Sequence, residues 1–158
     1  MRSGQRGFSL IELLASAAIL GVLASVAVPV VETTVRRQKE RELRTALRDL
    51  RAAIDAYKQA SAGGHIPVPK GHSGYPPDLA SLMNGVPDEM DPKKRMLYFL
   101  RRIPRDPFHP DQAQKPLAMW GLRSSTSPST APLPGDDVFD IYSRSGQTGL
   151  NKVPYAEW

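Results

Sequence analysis

Few residues in this 158-residue chain have types and spacing that could do chemistry, and the first is a carboxylate in an apolar setting. Glu12 lies in Gly7-Phe8-Ser9-Leu10-Ile11-Glu12-Leu13-Leu14, near the start of an apolar run that lasts to Val31. An ionised acid near the centre of a membrane helix costs roughly 2.5–3.5 kcal/mol on insertion scales. Such a residue calls for a positive partner at its own depth. Cleavage after Gly7 would create one, as a free amine on Phe8. The other candidates are weaker. His65, His72 and His109 fall on Pro/Gly-rich stretches without metal-ligand spacing to one another. Gly146-Gln147-Thr148-Gly149 has no P-loop lysine after it, and Ser143 and Ser145 lack a nucleophile-elbow context. No catalytic residue is assigned, and no enzyme is expected.

Glu12 must be positioned by a helix. Residues 8–31 make 24 positions, about 36 Å at 1.5 Å each, which is enough to span a bilayer. An ordinary secretory signal would be cut after its apolar core. Here the candidate cut precedes the run, so the run stays in the mature protein. A plain single-pass anchor has the same length but leaves Glu12 without a role. Beyond Val31 the helix is expected to continue. Leu43, Leu47, Leu50, Ile54 and Tyr57 recur at spacings of four and three, with Ala46 and Ala53 beside them. That stripe should pack on a following domain, while residues 32–42 look too polar to be covered. Gly63-Gly64 should end the helix. Pro29, lacking an N–H, should kink or loosen its first half.

Residues 63–158 carry 14 of the 15 prolines and read as short elements joined by turns. A brief helix is expected over 77–83 with Asp78 as a cap, and strands over 117–123 and 138–142. The Ser/Thr/Pro-rich stretch 124–135 should be an exposed loop. Two or three antiparallel strands on the helix give an α+β fold: a long N-terminal helix, membrane-spanning in its first half, packed on a small antiparallel sheet. The domain organisation that follows is a leader over 1–7, a membrane and assembly helix over 8–31, its amphipathic continuation over 32–62, and a globular head over 63–158.

The net charge of +5 is uneven. Residues 1–62 hold 10 Lys/Arg against 6 Asp/Glu, and residues 63–158 hold 11 against 10. A nearly neutral head disfavours nucleic acid as a partner. The helix charges suit a solvated face laced with pairs four apart, such as Glu32–Arg36, Arg36–Glu40, Glu40–Arg44 and Arg51–Asp55. There are no cysteines, which permits but does not identify an oxidising compartment.

Gly7 followed by Phe-Ser-Leu-Ile-Glu-Leu-Leu resembles the class III signal of type IV pilins and type II secretion pseudopilins. The resemblance implies cleavage after Gly7 by a prepilin peptidase and N-methylation of Phe8. It implies pairing of Glu12 with a neighbouring subunit's N-terminus in a filament, and a melted stretch of helix where Gly21 and Pro29 fall. Tyr75-Pro76, then Leu79 and Leu82, then Ile103-Pro104-Arg105-Asp106-Pro107-Phe108, then strands and a terminal Trp158 resemble the major, G-type pseudopilin. The implied function is a structural subunit of a type II secretion pseudopilus, which drives protein export across the outer membrane. The alternative is a type IV or competence-type minor pilin for adhesion, motility or DNA uptake. The implied partners are further copies of the chain, minor pseudopilins, the prepilin peptidase and an inner-membrane assembly platform.

The implied location is the bacterial inner membrane, single-pass, with the C-terminal domain in the periplasm. Charge opposes this orientation. Arg2 and Arg6 flank one side of the run, whereas Arg36, Arg37, Lys39 and Arg41 flank the other, and the positive-inside rule weakly places the larger cluster in the cytoplasm. The motif is taken to outweigh the count. The G-type subgroup also holds calcium in a C-terminal loop through Asp side chains. Residues 143–158 offer only Glu157, so no cofactor and no metal site are expected. Packing of Tyr155 and Trp158 onto the strands is expected to pin the tail instead.

Overall fold

The computed structural model describes residues 9–158, and within them not the side chains of residues 24–30. Helix α1 runs over Leu10–Ala62. The chain divides into two compact units, Met1–Gln38 and Lys39–Trp158. In the first unit, the described residues from Leu10 onward are helical. Helix α1 runs through Gly21 and continues past Pro29, whose side chain lies outside the described ones. A glycine costs a helix about 1 kcal/mol relative to alanine, a penalty that neighbouring turns can absorb.

The second unit contains the remainder of α1 and the head. Leu43, Ala46, Leu47, Leu50, Ala53, Ile54 and Tyr57, the stripe read from the sequence, are all buried. They share one core with Ile66, Leu79, Leu82, Ile103, Phe108, Met119, Trp120, Val138, Ile141 and Tyr155. The helix ends as its paired glycines predict. Gly64 takes a positive φ of 81°, and the His65 and Gly64 amides donate to the Ala60 and Ser61 carbonyls at 3.0 and 3.1 Å. Those two bonds form a Schellman closure, which glycine permits because it has no Cβ to clash.

Helix α2 (Leu79–Asn84) is the expected short helix, capped by the Asp78 carboxylate accepting from the Ser81 amide at 2.7 Å. Strands β1 (Val86–Pro87) and β2 (Met96–Leu97) form one antiparallel pair. Residues 117–123 are a strand only in their second half. Pro116 opens a short helix α3 (Pro116–Met119), since proline is preset for a first helical turn. Strand β3 (Trp120–Arg123) follows and pairs antiparallel with β4 (Asp140–Ser143), in the register Trp120↔Ser143 to Arg123↔Asp140. Gly121 sits under the Tyr142 ring, where a Cβ would come within 2.3 Å of ring carbons. A final 3₁₀ turn covers Tyr155–Glu157. The result is α+β, with a long N-terminal helix whose buried stripe packs against two small antiparallel sheets.

Candidate functional site

The sequence points to the start of α1. Gly7 and Phe8 lie outside the described residues. Ser9 stands just before the helix, and its carbonyl accepts from the Glu12 and Leu13 amides at 3.0 and 3.2 Å. Glu12 is therefore in the first turn, where unpaired backbone N–H groups favour a negative charge. Its carboxylate is exposed and makes no ion pair with another described residue. Leu10 and Ile11 are about three-quarters exposed, and Leu13, Leu14, Ile19, Leu20, Val22 and Leu23 are also largely uncovered. Consecutive apolar residues around the whole circumference mark a helix meant to be covered by lipid or by other helices. A Cβ added to Gly21 would meet nothing within 4 Å, so no contact among the described residues requires a glycine there.

Among the described residues, which exclude the side chains of 24–30, no helix is long and apolar enough to cross a membrane. The expected span over residues 8–31 includes that gap.

In the head, the polar side chains hold segments together. Glu40, expected on the solvated face, is only 7% exposed. It accepts from the Leu150 amide at 2.7 Å and the Tyr155 hydroxyl at 3.0 Å. The sequence signal missed was that Glu40 sits three residues before Leu43, at the edge of the stripe. Arg51 does not pair with Asp55. Its Nε donates to Asp140 at 2.8 Å, and one terminal nitrogen donates to the backbone oxygens of Ile141 and Trp158 at 3.2 and 2.8 Å. Tyr155 is fully buried, stacked on Phe108 at 4.1 Å with Trp158 edge-on at 4.9 Å. The tail is thus pinned by aromatic packing, as expected from Tyr155 and Trp158, and also by two side chains of α1.

Two more buried carboxylates act as ties. Asp106 accepts from the Ser143 hydroxyl at 2.6 Å and the Phe108 amide at 2.8 Å. Asp137 accepts from the Ser125 amide at 2.8 Å and from the Ser73 and Ser125 hydroxyls. Burial pushes the Asp137 carboxyl up, but those hydrogen bonds outweigh it and hold the pKa below the ordinary value. His65 bonds Asp88 at 2.9 Å. Desolvation raises the Asp88 carboxyl, and the bonds from His65 and the Met90 amide bring it below its ordinary value. Among the described residues no group of three or more His, Asp or Glu is placed to hold a metal ion. Ser143 and Ser145 are buried in the Asp106 network, and the His109 ring is bonded to the Asp111 carbonyl.

Residues 2–28 match the prokaryotic N-terminal methylation motif. No curated protein and no solved structure matches the chain. The motif marks this N-terminal segment as pilin- or pseudopilin-like, a structural class and not an enzyme class. It implies processing by a prepilin peptidase, anchoring in the inner membrane through the apolar helix, and assembly into a filament.

Proposed function

We propose that the chain is a structural subunit of a type II secretion pseudopilus. On this reading a prepilin peptidase cuts after Gly7 and the new N-terminus on Phe8 is methylated. Residues 8–31 store the subunit in the inner membrane, with the head in the periplasm. Assembly then exchanges lipid for neighbouring helices and pairs Glu12 with the Phe8 amine of another copy. Such a pair is shielded from water, so it should be worth more than an exposed surface ion pair.

The observation that carries this reading is the exposed Glu12 carboxylate in the first turn of a helix whose described apolar side chains, from Leu10 to Leu23, are largely exposed. The order of head segments favours the secretion system. Tyr75-Pro76, the Asp78-capped helix α2, the 103–108 segment and the β3–β4 pair follow one another in an order that resembles the G-type pseudopilin.

Deletion of the gene in its native host tests the reading. Export of secreted proteins should fail, and wild type but not Glu12→Ala should restore it, although the variant is still inserted and cut. Intact export with lost twitching motility or DNA uptake would assign the chain to a type IV pilus instead.

A further inference from the structure

Arg41, Arg44 and Arg48 follow one another at spacings of three and four residues, so they share one face of α1. With Arg51 and Trp158 they line a groove of about 770 Å³ between that face and the tail segment 151–158. The sequence offers Glu40 to Arg44, which would neutralise this face, but Glu40 is turned into the head to hold Leu150 and Tyr155. Arg51 is engaged by Asp140 and the Trp158 backbone. Among the described residues Arg41, Arg44 and Arg48 have no ion pair. Arg48 reaches only the Thr45 hydroxyl, at 3.4 Å. The Arg44 guanidinium sits over the Trp158 ring, its central carbon 4.4 Å from the ring centroid, a cation–π contact that restrains its fork in advance. Glu157 is the one acidic side chain among the described lining residues.

We infer that this groove binds an extended, acidic peptide segment of a partner protein. Three guanidinium forks advancing about 5 Å apart match carboxylates displayed along a chain. A bilayer surface is flat and does not enter a concave groove. A nucleic-acid strand would bring phosphates but find no stacking platform. One face of Trp158 is covered by Arg44, and Gly149 packs so closely that a Cβ there would come within 2.5 Å of the ring. The inference rests on the proposed reading in one respect, that an export filament meets proteins.

The test uses the full chain in neutral detergent and a fluorescent peptide of alternating Glu and Gly, followed by anisotropy. The wild type should bind it, and binding should weaken as salt rises toward about 0.5 M. The Arg41→Gln/Arg48→Gln double variant should bind about tenfold more weakly with an unchanged far-UV spectrum, since both side chains are exposed. Arg101→Gln/Arg102→Gln, which removes two exposed charges outside the groove lining, should stay within about twofold of wild type. No peptide binding, or equal weakening by both double variants, would overturn the inference. So would tighter groove-dependent binding of oligothymidylate or of phosphatidylglycerol vesicles than of the peptide. Failure here leaves peptidase processing and the export phenotype untouched, so it is distinguishable from failure of the proposed function.

Discussion

Glu40 and Arg51 sit three turns apart on α1 and hold one tail from two sides. Glu40 satisfies a backbone amide and a buried hydroxyl, and Arg51 neutralises Asp140 while closing on the Trp158 backbone. Leaving buried donors without an acceptor costs about 1–3 kcal/mol each. Glu40→Ala should therefore lower stability by about 2–4 kcal/mol and expose the 148–158 tail to protease, with Tyr155→Phe losing less. Equal melting temperatures for Glu40→Ala and wild type would remove Glu40 from this role. Asp137 makes a pH-dependent contribution. Its folded pKa is depressed, so its stabilisation is full above the ordinary carboxylate value and is lost as pH falls through and below it. Melting temperature should drop on acidification below about pH 4, and Asp137→Asn should flatten that part of the profile while lowering stability at neutral pH.

Helix α1 shows what sequence periodicity can and cannot read. Every residue of the stripe from Leu43 to Tyr57 is buried, and the Schellman closure falls at the paired glycines, because both depend on local spacing alone. Leu47→Asp would bury an unpaired charge in the middle of that stripe, costing upward of ~4 kcal/mol. The head should then be degraded, and a soluble variant of normal abundance would show that the stripe is not core. Partners distant in sequence were not legible. Glu40 meets Tyr155 across 115 positions and Arg51 meets Asp140 across 89, so counting charges four apart assigned both to the wrong neighbours. The strand over 117–123 was shortened by Pro116, whose preference for a first helical turn outweighed the apolar pattern that follows.

Across the whole molecule, chemistry divides along the chain. Residues 10–23 present exposed apolar side chains and one exposed acid among the described residues, whereas the unit from Lys39 to Trp158 has its own core and ties many of its polar groups internally. The candidate site was legible because it lies within a dozen consecutive residues, from Gly7 to the first turn of α1. The head offers no comparably local motif. Its order of segments supports the secretion reading only through arrangement. The central claim is that the chain matures by cleavage after Gly7 and assembles through the helix this exposes. Intact-mass and N-terminal analysis of the protein purified from its host membranes tests it most directly. The account predicts a chain that begins at Phe8, carries one added methyl group on that amine, and is missing residues 1–7. A chain retaining Gly7, or one cut after Val31 with the apolar run removed, would contradict it.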